Sequence, residues 1–174
     1  EISTPGEGQI RALFTGAGNP VLSTPNGRQL DKALEELEFM VSLDPYINET
    51  TRHANIILPP TSPLEHDHYD IGFHNNAVRN TARYNAPVFD KPADAMHDWE
   101  IFAALGERVG QALDTQTRPP MSPAQIIDMG LQAGPYGENS DGEFKLSLKE
   151  LANHPSGIDL GPLKPQLPQR LRTV

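Results

Sequence analysis

The sequence predicts an α/β fold: an open parallel sheet flanked by helices, with a long irregular arm and a Pro-rich C-terminal linker. Three observations lead there. Short apolar runs stand at 10–15, 39–43 and 55–59, each near-continuous rather than alternating, as in strands buried on both faces of a parallel sheet. A helical pattern separates the first two, so that strand, loop, helix and strand fit within about 35 residues, the size of a βαβ unit. Finally, 17 Pro and 14 Gly among 174 residues, with only 37% apolar residues, assign much of the chain to loops.

Taken in order, "IRALFT" (10–15) is the first strand and runs into Gly16-Ala17-Gly18-Asn19-Pro20. In "RQLDKALEELE" (28–38), Leu30, Ala33, Leu34 and Leu37 fall at i, i+3, i+4 and i+7, one face of a helix. Thr24 before Pro25 fits an N-cap followed by Pro at the first helical position. "FMVSL" (39–43) and "NIILP" (55–59) supply the second and third strands, with a right-handed crossover expected between the first two. Between 59 and 97 periodicity fails, and an arm of that length is expected to be functional or docked on something else. Asp98 is the expected N-cap of "WEIFAALGERVG", whose Trp99, Phe102 and Leu105 would face a core. Ser122-Pro123 opens "AQIIDMGLQ", and "SLKE" (147–150) reads as a capping box for a short third helix. The Pro-rich tail reads as a linker leading elsewhere. The expected division is one domain over 1–135, with 59–97 as its arm, followed by a short helix and linker over 136–174.

Charge and composition exclude several functions. A net charge of −9, from 23 acidic and 14 basic residues, argues against nucleic acid or an anionic membrane as partner. Without cysteine the chain itself offers no disulfide, thiolate nucleophile, Cys-bound zinc or iron–sulfur ligand. No apolar run approaches the roughly 20 residues of a membrane span. The chain starts at Glu1 rather than Met, as processing or excision from a longer protein would leave it. A cytoplasmic location is expected, with the periplasm left open.

Of the polar clusters, "GAGNPV" (16–21) begins as Gly-x-Gly but lacks the third glycine of a dinucleotide fingerprint, and Pro20 has no N–H for a phosphate cradle. Its motif alone fits a tight turn as well as a ligand loop. Position says more, because ligands of open parallel sheets sit beyond the carboxyl ends of the strands. Gly18-Asn19-Pro20 follows the first strand and Asp44-Pro45-Tyr46 the second. The Asp44 carboxylate could accept hydrogen bonds from ribose hydroxyls or a guanine edge, or simply cap the turn before Pro45. "EHDH" (65–68) with His74 collects metal-ligand types. Adjacent His-Asp-His, however, projects in different directions, unlike the i, i+4 pair of His-Glu-x-x-His. Solvated loop polarity is the commoner account, and a metal-dependent hydrolase using Glu65, His66, His68 and His74 stands as the alternative. His53 and His97 read as hydrogen-bonded loop residues, and Asn48-Glu49-Thr50 as a chance glycosylation acceptor. No Gly-x-Ser-x-Gly elbow is present. Arg52, Arg79 and Arg83 could bind phosphate, though surface ion pairing is the commoner fate.

Four stretches, "GQIRALFTGAGNPVLSTP", "LEFMVSLDPYINETTRHANIILPPTSPLE", "DWEIFAALGERVG" and "HPSGIDLGPL", together resemble the large-subunit family of molybdopterin oxidoreductases. That family includes formate dehydrogenases, periplasmic nitrate reductases and dimethyl sulfoxide reductases, and the resemblance is strongest over 1–110. It implies a Rossmann-like molybdopterin-dinucleotide-binding domain, the later of two central ones, cut from a molybdenum enzyme before its C-terminal β-barrel. The implied cofactor is a bis(molybdopterin guanine dinucleotide) molybdenum, with a [4Fe–4S] cluster and the metal's protein ligand on parts that this chain lacks. The isolated fragment is then expected to fold, to hold none of these groups and to be inert, with no catalytic or metal-ligating residue of its own. By the same resemblance Gly18, Asn19 and Pro20 match the loop against the cofactor's nucleotide. Asp44, Pro45 and Tyr46 match the second strand-end loop, and Thr50 the loop that closes over the cofactor. At position 55 the family usually has Asp where this chain has Asn55. The implied partners are other domains of the same polypeptide and electron-transfer subunits. A non-catalytic interaction domain that keeps the fold is the remaining rival.

Overall fold

The computed structural model describes residues 1–115 and 119–162. These divide into two compact units, one of Glu1–Ser62 with Lys91–Thr115 and one of Pro63–Asp90 with the described residues from 119 onward.

The first unit is built on three parallel strands, β1 (Ala12–Gly16), β2 (Phe39–Leu43) and β3 (Ile56–Leu58), hydrogen-bonded in the order β1-β2-β3. The register runs from Ala12 opposite Phe39 to Gly16 opposite Leu43, and from Val41 opposite Ile56 to Leu43 opposite Leu58. With helices flanking it, this is the Rossmann-like α/β arrangement that the sequence predicts. One face is closed: Met40 and Ser42 are fully buried, and the Thr15 and Ser42 hydroxyls, opposite each other, are 2.8 Å apart. The other face departs from expectation. Phe14, Phe39 and Ile56 lie there 40–45% exposed, so β1 alternates in burial instead of being covered on both sides. Helix α3 (Asp98–Ala112) reaches this face, where the Phe102 ring stands 5.5 Å from Phe14 and beside Gly16. Phe102 is itself half exposed, and Ile101 and Gly110 are the buried residues of α3.

The crossover starts differently from the Thr24-Pro25 reading. Pro20 instead opens a one-turn helix, α1 (Pro20–Ser23), because its fixed φ suits the first helical position and its missing N–H costs nothing there. Thr24 closes that turn, its N–H and hydroxyl both donating to the Pro20 carbonyl at 3.0 and 2.7 Å. The long helix, α2 (Gly27–Glu35), then begins after Asn26, which holds φ +61° as its N-cap. Gly27 is required by proximity, since a Cβ there would run into the Val21 carbonyl. Ala33 and Leu34 are the buried residues of α2, as the helical spacing predicts. At α3 the cap falls one residue before Asp98: the His97 N–H donates to Glu100 Oε2 at 2.7 Å.

The second unit contains the middle of the arm, 63–90, whose regular parts are β4 (His68–Tyr69), β5 (Arg79–Ala82), β6 (Tyr84–Asn85) and a 3₁₀ turn at Phe73–Asn76. It also contains α4 (Pro123–Ala133), α5 (Leu148–Ala152) and β7 (Ile158–Pro162). β4 pairs with β6 and β5 with β7, both antiparallel. The core is Ala82, Leu146, Leu151 and Ile158, with Tyr69, Tyr84, Leu131, Phe144 and Leu160 packed on it. Ser122 and Ser147 cap α4 and α5 as predicted, accepting the Gln125 and Glu150 N–H groups at 3.2 and 3.1 Å. β7 is a strand where the sequence suggested a linker, because its partner β5 lies some 80 positions earlier and leaves no local trace. The rest of the proposed linker, 163–174, lies outside the described residues. Among the described residues no helix is long and apolar enough to cross a membrane.

Two glycines separate close approach from propensity. Gly27→Ala is expected to destabilise by about 1–3 kcal/mol, through overpacking against Val21. Gly106→Ala, in open space on α3, is expected to stabilise by about 0.5–1 kcal/mol. Opposite shifts of the urea midpoint for the two variants are the check.

Candidate functional site

Parallel pairing of Gly16 with Leu43 makes the chain leave β1 and β2 at the same edge of the sheet. There the Ala17 N–H donates to the Leu43 carbonyl at 3.0 Å, with Ala17 itself at φ +51°. One side chain then joins the two loops. Thr50 is fully buried, its hydroxyl donating to Asn19 Oδ1 at 2.7 Å and accepting the Val21 N–H at 3.0 Å. The other end of the Asn19 amide donates to Glu49 Oε2 at 2.7 Å.

The loop after β2 also closes on itself. Asp44, 7% exposed, accepts the Tyr46 N–H at 2.8 Å with Oδ1 and the Asn48 amide at 3.3 Å with Oδ2. Asn48 Oδ1 accepts the N–H groups of Thr50 and Thr51, both at 3.0 Å. The Thr51 hydroxyl accepts the Asn48 N–H at 2.8 Å and donates to the Tyr46 carbonyl at 3.0 Å. With their polar groups turned inward, Tyr46 and Ile47 project outward, 75% and 79% exposed. A second tie comes from α2: Asp31 accepts Arg52 Nη2 at 2.6 and 2.7 Å and His53 Nε2 at 2.7 Å.

The residues singled out from sequence are therefore brought together. Gly18, Asn19, Asp44 and Thr50 form one edge; Pro20 starts α1 beneath it, and Pro45 and Tyr46 are exposed above it. Asp44 does cap the turn before Pro45, and each of its oxygens keeps a lone pair after its one loop bond. Asn55 accepts the Met40 N–H with Oδ1 at 2.7 Å, while its own N–H donates to the Met40 carbonyl at 2.8 Å. An Asp oxygen could take the same bond, so Asn satisfies the backbone without a charge.

Sequence reasoning missed Asn48, Glu49 and Asp31. Asn48 and Glu49 were set aside as part of a chance acceptor triplet, although a run of Asn and Thr after a strand is also the composition of a self-capping loop. Asp31 gives no local signal, being one polar residue on the outer face of an amphipathic helix. The arginines pair as the surface reading had it at two positions, Arg52 with Asp31 and Arg79 with Asp159.

The "EHDH" stretch is not gathered with His74 into a metal-ligand cluster. Among the described residues no group of three or more His, Asp or Glu is placed to hold an ion. The side chains diverge: His66 Nδ1 lies 3.0 Å from the Asp67 carbonyl, while His74 Nε2 accepts the Thr81 N–H at 3.2 Å. The metal-dependent hydrolase alternative is not favoured by this arrangement.

Two measurements test these ties. Thr50→Val strands the Val21 N–H and Asn19 Oδ1 in a buried place and is expected to cost about 1–3 kcal/mol, with Thr50→Ser close to the parent in urea unfolding. The second is acid stability. Bonds from Arg52 and then His53 hold the Asp31 carboxyl below its ordinary range, and the Asn19 amide does the same for Glu49. A carboxyl lowered in the fold stabilises above its unfolded value and loses that stabilisation as pH falls through the folded one. Stability is therefore expected to fall below about pH 4, and less steeply in Asp31→Asn, when followed by thermal midpoint against pH.

The match to known proteins covers this same edge. A family model for molybdopterin oxidoreductase matches residues 1–108. The assimilatory nitrate reductase catalytic subunit of Bacillus subtilis (strain 168) is 36% identical over 105 residues, 60% of this chain and 14% of that protein. The F420-dependent formate dehydrogenase 1 subunit alpha of Methanococcus maripaludis is 31% identical over 103 residues, 59% of this chain and 14% of that protein. A dimethyl sulfoxide/trimethylamine N-oxide reductase of Cereibacter sphaeroides is 31% identical over 107 residues, 60% of this chain and 12% of that protein. The chain thus spans a small part of each relative, and the matched part carries β1 to β3, both strand-end loops and most of α3. By that match the chain belongs to the molybdopterin oxidoreductase family.

Proposed function

We propose that this chain is a cofactor-binding segment of a molybdenum-dependent oxidoreductase, holding the guanosine end of a molybdopterin guanine dinucleotide at the edge formed by the loops after β1 and β2. The observation that carries the reading is the buried Thr50 hydroxyl locking Asn19 to the second loop. It makes the two strand-end loops one rigid surface, at the place where parallel sheets take ligands.

The chemistry of that surface fits the nucleoside better than the phosphates. Asp44 and Glu49 offer carboxylate acceptors with spare lone pairs, matched to the ring N–H, exocyclic amine and ribose hydroxyls of guanosine, all of which donate. The same charges disfavour pyrophosphate, and Pro20 has no N–H to give it. The exposed Tyr46 ring offers a flat apolar surface on which a purine can stack. Glu49 therefore joins Gly18, Asn19, Pro20, Asp44, Pro45, Tyr46 and Thr50 in the proposed site.

When bound, the molybdenum centre supplies the redox chemistry. This chain's residues bind and orient the far end of the cofactor, and none is assigned a catalytic role. The metal's protein ligand, any [4Fe–4S] cluster, the neighbouring domains and the electron-transfer subunits belong to the rest of a longer polypeptide or complex, in which this segment alone is inert. Relatives named for nitrate, formate and dimethyl sulfoxide all resemble this chain, so the segment is assigned no part in selecting the substrate.

Asp44→Asn keeps an oxygen for the Tyr46 N–H but removes the carboxylate. In the full-length enzyme containing this chain, the purified variant is expected to hold about tenfold less guanine nucleotide and molybdenum than the parent, the ratio for a lost charged hydrogen bond of about 1.4 kcal/mol. Unchanged contents by acid release and metal analysis would overturn the assignment and favour a domain that keeps the fold without the cofactor.

A further inference from the structure

The second unit carries a concave, donor-rich surface that the strand-end loops do not use. His68 pairs with Asn85 and Tyr69 with Tyr84 across the β4–β6 ribbon. Side chains alternate along a strand, and Tyr69 and Tyr84 pack on the core, so His68 and Asn85 face the other way. Arg83 and Thr81 stand beside them, next to Tyr69 and buried Ala82. These residues, with Asp70 and His74, line a pocket of about 280 Å³.

The hydrogen-bond inventory shows what the pocket lacks. His74 Nε2 accepts the Thr81 backbone N–H at 3.2 Å, and a backbone N–H can only donate. The proton of the neutral ring is therefore on Nδ1, which remains a donor. Arg83 and His68 form no side-chain hydrogen bond or ion pair among the described residues. Asp70, the carboxylate on the rim, accepts the Phe73 N–H at 2.9 Å, and neighbouring Asp67 accepts the Tyr84 hydroxyl at 3.1 Å. Arg79 is neutralised by Asp159 at 2.6 Å, which leaves Arg83 as the unpaired guanidinium of this ribbon. Gly157, at φ +85°, lies beside its stem, where an added Cβ would approach Arg83 Cβ to 3.3 Å.

We propose that this pocket is a binding site for a small oxyanion of the phosphate or carboxylate class, taken by the Arg83 guanidinium with His68, His74 and Asn85 as further donors. A planar guanidinium presents paired N–H groups that match two oxygens of such an ion. In a chain of net charge −9, an unpaired cation in a concavity is where an anion is retained. The site stands on the second unit alone and does not depend on the cofactor reading.

The test is titration of the 174-residue chain, at constant ionic strength, with inorganic phosphate and separately with acetate, against a sodium chloride control. The imidazole nitrogens are followed by long-range ¹H–¹⁵N NMR. Saturable shifts of His68 and His74 with a Kd on the order of 1 mM, weakened about tenfold in Arg83→Gln, are the expected result. The arm that saturates identifies phosphate or carboxylate as the ligand. Shifts that chloride reproduces, that never saturate, or that persist unchanged in Arg83→Gln overturn the proposal. If that variant loses its far-UV circular dichroism, Arg83→Lys decides: it keeps the charge but not the fork, and unweakened binding would equally overturn the site.

Discussion

The candidate site depends on the buried hydroxyl of Thr50. It donates to the Asn19 side chain and accepts the Val21 N–H, so one atom fixes the loop after β1, the start of α1 and the loop after β2. Buried hydroxyls are tolerated only when satisfied, and here both functions of the group are used. Everything nearby follows from that closure. Asn19 can turn its amide to Glu49, α1 is held where Gly27 must pass close to Val21, and the β2 loop can spend its own polar groups on itself. What remains outward is an acidic rim with an exposed aromatic ring.

Charge is arranged around this edge in two shells with different consequences. Inside, Asp44 is largely buried and engaged by neutral donors, the Tyr46 N–H and the Asn48 amide. Outside, Asp31 meets Arg52 and His53 on the flank of α2. Such exposed pairs contribute little to stability in salt. Asp31 ties the segment just after Thr50 to the helix, while the neutral bonds carry the shape of the loop. Bonds between Thr50, Asn19 and Asn48 involve no ion pair, so the geometry they set depends little on ionic strength.

The sequence made the sheet legible because buried parallel strands leave continuous apolar runs, and all three lie within two residues of their predicted bounds. α2, α4 and α5 were legible from spacing and from Ser caps. The failures have specific causes. Thr24-Pro25 looked like a helix start, but Asn19-Pro20 satisfied the same rule five residues earlier and left Thr24 to close its turn. β7 was hidden because strand pairing across some 80 positions has no local signature. At the site, Asn19, Asp44 and Thr50 were found through strand-end position and family resemblance. Glu49 and Asp31 were not, since an exposed acid reads the same whether it lines a surface or merely faces water.

The half-open face of the first sheet explains why its strands read as buried on both sides. Phe14, Phe39 and Ile56 belong to strands whose sequence pattern is that of covered ones, and α3 meets that face at Phe14 of β1. The relatives are about seven times longer than the stretch they share with this chain. A strand pattern records the environment in which the strand is used. Here three apolar runs share one sheet face that stays partly exposed at Phe14, Phe39 and Ile56.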